Sequence, residues 1–370
     1  MEEFMRTMKS RMMLVAGSVA VMVAAGGCAG TSEGNAGGGG GPADSVAIDV
    51  GNDMTVNLPT GRALKVAYFL PSLVNDYGKQ QVRGAEETAK ELGVELTIFD
   101  GAFDPSRQLN QMQTALQSGG FDAALVSAVD GSTVCKAATE DFPKANILVV
   151  IVGSPLCGRA TEQQGESLDE LWAPGTMSYV GGQSSRAYMD GWFAAGAKAN
   201  PGKQKVGVVA GLAVQEHTRV VEAAMAEFKK NNPDYTVDLI NTNFSTADAF
   251  NKVQTYLHGN PDTTLFYSVL SPDVTQGVIQ AVEDAGLQGQ IHIVDQGFGD
   301  YLVEQLKAGR VQLSTLAFPY NLSKKSLESV VKAQSGEDVP RSVDDSVIGS
   351  VKEPFTATKD TLSKLPADLW

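Results

Sequence analysis

Basic residues are in short supply in this chain. Lys and Arg number 29 against 43 Asp and Glu over 370 residues, a formal net charge of −14 with an isoelectric point near 4.7. Neutralising phosphates needs a basic face, so a nucleic-acid partner is excluded. Histidine is scarcer still: His217, His258 and His292 are well separated and outside any H-E-x-x-H spacing. Without C-x-x-C as well, no metal is expected, and each histidine reads as a surface or satisfied core residue. Also missing are a G-x-G-x-x-G after a strand, a Walker A lysine loop and a G-x-S-x-G nucleophile elbow. The carboxylates are scattered over helix starts, where they complement the helix dipole. No pair announces acid–base work, so neither an enzyme nor a cofactor is expected.

What is present begins with an address. Arg6, Lys9 and Arg11 precede an apolar run, Met12 to Ala25, too short to span a bilayer as a mature helix. Residues 1–27 are therefore expected to be a secretory signal peptide. Ala25-Gly26-Gly27 before Cys28 resembles the bacterial lipobox, in which the cysteine is diacylated and becomes the new N-terminus. Ala25 stands where lipoproteins usually carry Leu, which leaves cleavage by an ordinary signal peptidase open. The stretch "AGTSEGNAGGGGGPADS" that follows is Gly/Ser-rich and has no means of packing, so residues 28–61 are expected to form a flexible linker. The expected location is extracytoplasmic, anchored to the cell membrane as a lipoprotein.

Export leaves Cys135 and Cys157 as an even pair in an oxidising compartment. Cys135 lies in the first turns of a helix and Cys157 just beyond the following strand, "NILVVIV". A strand–helix–strand unit can bring those places together, so a disulfide is expected; two buried free thiols are the alternative.

From Arg62 onward, β-branched and apolar runs alternate with amphipathic segments. Expected strands are 64–70, 94–99, 123–127, 147–152, 178–180, 205–210, 236–240, 265–269, 291–294, 312–317 and 345–351. Runs as continuous as "ILVVIV" suit parallel strands covered on both faces. Between them Val82, Ala85, Ala89 and Leu92 share one helical face, as do Val274, Val278, Val282 and Ala285. Asp104-Pro105 supplies an N-cap and a proline at the first helical position, a device that Ser271-Pro272 repeats. Repeated β-α units mean an α/β fold with parallel sheets. The strands are too many for one compact sheet, which points to two doubly wound lobes. Ligands bind beyond the carboxyl ends of such strands, so two lobes facing there form a closing cleft.

The ordered set of elements resembles the ribose-type (type I) periplasmic sugar-binding proteins of ABC transporters over about Leu64 to Val351. "VAYFLPSLVNDYGKQQVRGAEETAKELGVELTIFD" is similar to that family's opening strand, ligand loop, helix and second strand. "DPSRQLNQMQTALQSGGFDAALVSAVDGSTV", "NPDTTLFYSVLSPDVTQGVIQAVEDAGLQG" and "GDYLVEQLKAGRVQLSTLAFPYNLSKKSLESV" are similar to later units. The resemblance implies two lobes joined by a three-strand hinge, with crossings near Val180, Ala317 and residues 338–344. One lobe would comprise residues 62–180 and 318–340, the other 181–317 and 341–370.

It also implies a ligand shell. Asn75 and Tyr77 match the first-loop amide and stacking aromatic, the lesser alternative being that Tyr77 staples its helix. Arg219 falls in the stretch that carries the family's ligand-binding arginine, with an ordinary surface arginine as the other reading. Phe244 matches the aromatic covering the opposite sugar face, or else staples the capping box Ser245-x-x-Asp248. Ser271 occupies the place of a family Asn, with Asp273 two residues on; both also suit a helix start. Asp295 matches a ligand carboxylate if the register shifts, whereas an ungapped match lands near Gly297.

Two departures stand out. Gly153-Ser154 replaces an Asp-Arg pair, and Phe318 replaces a late glutamine, so Ser154 and Phe318 should line a pocket more apolar than a ribose site. The resemblance thus implies a monomeric, non-enzymatic solute-binding protein. Such a protein captures a small neutral solute, a sugar or polyol, by hinge closure and delivers it to an ABC permease. Alternatives are a sensory module that docks to a membrane receptor, a nucleoside-like or other partly apolar solute, and an extracytoplasmic enzyme on the same scaffold.

Overall fold

The computed structural model describes residues 44–164, 167–270, 272–345 and 356–365. The signal segment and Cys28 lie outside these residues. The first described element is a correction to the expected linker. β1 (Ser45–Gly51) and β2 (Met54–Pro59) pair antiparallel around Asn52-Asp53, both left-handed with φ of 54° and 56°. Two consecutive positive-φ residues make the tight hairpin turn that Asn and Asp tolerate. Alternation in "VAIDVGNDMTVNL" carries the signal, and Val50, Val56 and Leu58 are fully buried in the core of the first lobe.

The first lobe then winds β3 (Lys65–Leu70), α1 (Asp76–Leu92), β4 (Glu95–Asp100), α2 (Pro105–Ser118), β5 (Ala123–Val126) and α3 (Gly131–Lys136). A π-helical stretch, Ala137–Asp141, leads into α4 (Phe142–Lys144), β6 (Leu148–Val152), α5 (Arg159–Glu162) and β7 (Ser178–Val180). The second lobe holds α6 (Arg186–Ala199), β8 (Gln204–Ala210), α7 (Glu216–Asn231), β9 (Tyr235–Asn241), α8 (Thr246–Gly259) and β10 (Leu265–Ser268). It continues through α9 (Asp273–Asp284), β11 (His292–Gly297), α10 (Gly299–Ala308) and β12 (Leu313–Leu316). The chain returns as α11 (Pro319–Gln334), whose Leu322, Leu327, Val330 and Ala333 join the first lobe's core. β13 (Ser342–Val343) and β14 (Thr356–Thr358) follow.

Each lobe is built on a six-stranded sheet, ordered β13-β7-β6-β5-β3-β4 and β14-β12-β11-β10-β8-β9. All pairings in the two sheets are parallel except β12 with β14. In both sheets the chain reverses direction beside the first strand of the lobe. The carboxyl ends on either side of that reversal open a crevice.

The third crossing lies later than expected. Tyr179 N donates to Arg341 O (2.8 Å) and Gly181 N to Val343 O (2.9 Å), so residues 341–343 still belong to the first sheet rather than to the second lobe. Arg341 is held there by the β1–β2 hairpin: Nη2 meets Asp49 Oδ2 at 2.7 Å, and the guanidinium lies 4.5 Å from the centre of the Trp172 ring. The expected strand 345–351 falls outside the described residues beyond Asp345, and β14 was not foreseen. Cys135 and Cys157 are disulfide-bonded, with Cα atoms 5.0 Å apart.

Candidate functional site

The carboxyl ends of both sheets face one another across a cavity of about 60 Å³. The first lobe presents Pro71 and Ser72 after β3, Ser127 after β5, and Gly153 and Ser154 after β6. The second presents Gln215 and His217 after β8, Phe244 after β9 and Leu270 after β10. Residues 181–184 line it from the first crossing and Asp345 from the third.

Asn75 lines this cavity, yet it is also the N-cap of α1: its Oδ1 accepts from Gly78 N at 2.9 Å. That bond uses the amide oxygen and leaves the amide nitrogen outside the cap. Tyr77 donates through its hydroxyl to Gln183 Oε1 (3.2 Å), and its ring meets Phe298 of the second lobe edge-on, centroids 5.9 Å apart. Burial pushes the Tyr77 phenol well up, so it stays a neutral donor. Ser154 lines the cavity as well.

Phe244 faces Phe103 of the first lobe, which sequence reasoning missed. The rings stack with centroids 5.4 Å apart and 23° between planes. Both residues are left-handed, φ 63° and 56°, a conformation that costs a non-glycine residue of order 1–3 kcal/mol. Local bonds hold them: Phe103 N donates to Pro71 O (2.8 Å) and Phe244 N to Thr242 Oγ1 (3.2 Å). Gly211 makes room, since a Cβ there would lie 1.8 Å from the Phe244 ring. Nothing in residue type or spacing signals this strained pair.

Four other expected site residues stand elsewhere. Arg219 sits at the rim, where Nη1 bonds Glu216 Oε1 (2.6 Å) and reaches Ser132 Oγ (3.4 Å) and Asp130 Oδ1 (3.8 Å) of the first lobe. It bridges the lobes instead of lining the cavity, because α7 turns it toward the start of α3. Asp273 is also a bridge: its Oδ2 accepts from Asp76 N at 3.1 Å. That amide is one of the orphan donors at the start of α1, so the carboxylate of one lobe caps a helix of the other. Asp295 is fully buried beneath the cavity and accepts from Thr275 Oγ1 (2.6 Å) and Ser314 Oγ (3.4 Å). Phe318 is packed into the second lobe's core at the start of α11. Ser271 lies outside the described residues.

The polar shell comes instead from residues that carried no motif. Gln183 Nε2, Gln215 Oε1, His217 Nε2 and both carboxylate oxygens of Asp345 are buried without a hydrogen-bond partner among the described residues. His217, expected as a surface or satisfied core residue, is pushed down to about 4 by burial and stays neutral. Its Nδ1 lies 3.2 Å from Ser184 Oγ. The pairing "QEH" at the start of a helix after a strand was visible, but nothing marked it as inward-facing. Among the described residues no cluster of His, Cys, Asp or Glu has the arrangement of a metal site.

The strand ends of the two lobes thus enclose unpartnered polar groups and facing aromatics, the arrangement of a candidate site for a small molecule. The family model of the periplasmic binding protein domain matches residues 66–338, and the chain belongs to that family. Membership agrees with the expected role of binding without catalysis. Solved structures share the fold. An ABC transporter solute-binding protein from Agrobacterium vitis with bound D-fucose has a TM-score of 0.69 at 18% identity, covering 81% of this chain and 97% of that one. One from Mycobacterium smegmatis with bound glycerol has a TM-score of 0.66 at 21% identity, covering 82% and 97%. One from Actinobacillus succinogenes with bound D-allose has a TM-score of 0.67 at 20% identity, covering 82% and 100%.

Proposed function

We propose that the protein captures a small sugar or polyol between its lobes and hands it to an ABC permease while anchored to the membrane through Cys28. The observation that carries this reading is the set of unpartnered donors and acceptors around the cavity, on Gln183, Gln215, His217 and Asp345. Buried polar groups left unpaired cost free energy, and hydroxyls serve as both donor and acceptor. Tyr77, Phe103, Phe244, Leu270 and Leu322 supply the apolar surface that the C–H faces of such a solute need. A cavity of about 60 Å³ has room for only a handful of water positions, which favours a small solute over an oligosaccharide. The bound D-fucose, glycerol and D-allose of the similar structures fit this class.

Closure follows from geometry. A solute on the first lobe meets Asn75, Tyr77 and Ser154; closing adds Gln215, His217 and Phe244. Contacts that exist only in the closed form favour that form. The Gly-rich segment after Cys28 gives the body reach from its anchor. Thermal-shift screening of sugars and polyols tests the reading: a concentration-dependent rise in Tm with at least one is expected, and no shift with any of them contradicts it.

A further inference from the structure

Asp345 has no counterpart among the expected site residues. It lies just past β13, in the third crossing, fully buried and lining the cavity. Among the described lining residues it is the one carboxylic acid, His217 is neutral, and no Lys or Arg is present. The nearby Lys325 directs Nζ to the backbone oxygen of Asp344 at 2.6 Å. Neither oxygen of Asp345 has a hydrogen-bond partner among the described residues. Leaving an ionised carboxylate buried and unpaired is costly, and a carboxylate accepts only. A solute that brings hydroxyl donors would supply the partners that the described residues do not.

The neighbouring orphans say what kind of solute. Gln183 Nε2 donates, Gln215 Oε1 accepts, and His217 Nε2 does one or the other according to tautomer. An ammonium group satisfies Asp345 and Gln215 but leaves the Gln183 donor unpaired. A carboxylate or phosphate satisfies Gln183 but meets Asp345 as a like charge in a buried site. Hydroxyls meet all of them.

We propose that Asp345 is the specificity-determining contact of this cavity, taking hydroxyl donors of an uncharged polyhydroxylated solute and turning away solutes that carry a carboxylate or phosphate. The inference rests on the sugar or polyol reading above. Burial, with Asp344 adding repulsion, raises the Asp345 carboxyl, while Lys325 and the Gly182 amide act against the rise.

The test takes the tightest neutral binder among glycerol, D-galactose, D-fucose and D-allose, together with its carboxylate and amino counterparts. Calorimetry compares wild type, D345N and D345S, each checked for a cooperative melt. For wild type the carboxylate counterpart should bind at least about 100-fold more weakly than the neutral compound. Losing a charge-assisted bond should weaken neutral binding about 10- to 100-fold in both variants and shrink the discrimination to within about tenfold. Unchanged neutral affinity in a folded variant overturns the proposal. So does a wild type that takes the carboxylate as well as the neutral compound, or prefers the amino compound. A wild type that binds none of them overturns the sugar or polyol reading itself, and the role of Asp345 with it.

Discussion

Phe103 and Phe244 stack face to face between the lobes at 5.4 Å, each held in a left-handed backbone conformation that its own loop must enforce. The cost of that strain on both sides is offset in part where the two rings meet, so the contact helps hold the lobes in this arrangement. Truncating either ring by F103A or F244A removes an aromatic pair that contributes about 0.5–1.5 kcal/mol beyond its buried area. Solute affinity should fall roughly tenfold or more. Small-angle scattering of the solute-loaded protein should show a larger radius of gyration than wild type. G211A should act in the same direction, because its methyl group displaces the Phe244 ring.

Arg219 makes a different prediction from a ligand-contacting arginine. Glu216 is fully buried and depends on Arg219 for its ion pair; burial raises its carboxyl and Arg219 opposes that. R219A therefore strands a buried carboxylate and loosens the bridge to Asp130 and Ser132. It should weaken every solute by a similar factor, through faster dissociation, and leave the rank order of solutes intact. A change in rank order would return Arg219 to the cavity.

Asp345 and His217 impose opposite pH dependences on stability. Burial raises Asp345 from 3.8 to about 7, so its stabilisation is complete below pH 3.8 and is lost as pH rises through 7. His217 is lowered from 6.5 to about 4, so its stabilisation is complete above pH 6.5 and is lost as pH falls through 4. The unfolding free energy of D345N minus that of wild type should rise between pH 4 and pH 7, towards a ceiling on the order of 4 kcal/mol, and the Tm difference should rise with it. For H217Q the difference should grow in the opposite direction, towards low pH. Thermal melts across this window without solute check both signs.

The Cys135–Cys157 bond closes a loop of sequence separation 22 and pins the segment that presents Ser154 against α3. Loop-closure entropy sets its contribution near 3 kcal/mol. The double variant C135S/C157S should lose about that much in denaturant unfolding, with the m-value little changed.

The hairpin sets a sharp boundary. Removing residues 1–43 should leave the Tm of the folded body unchanged. Removing residues 1–61 deletes the buried Val50, Val56 and Leu58 and frees Arg341 from Asp49, so the Tm should fall by several degrees or more.

Much of the architecture was legible because it is written in periodicity. Continuous, β-branched apolar runs as short as Leu148–Val152 suit covered strands, and Asp104-Pro105 starts α2 as its chemistry requires. The hairpin at Ser45–Pro59 was equally legible, but the glycine tract ahead of it masked its alternation. The site was only half legible. Asn75 caps α1 and Tyr77 lies in its first turn, just after β3, so local sequence places them. Arg219 and Asp295 were misassigned because one residue of register on a helix or strand turns a side chain by a large angle. Asp345 and Phe103 owe their positions to crossings and strained turns assembled from distant parts of the chain. Their neighbours in sequence carry no trace of that.

The most direct measurement is mass spectrometry of whatever small molecule the purified protein releases on unfolding. An uncharged polyhydroxylated compound, recovered intact and close to one per chain, is the predicted result. An anionic compound, or one chemically altered by prolonged incubation with the protein, would contradict the account.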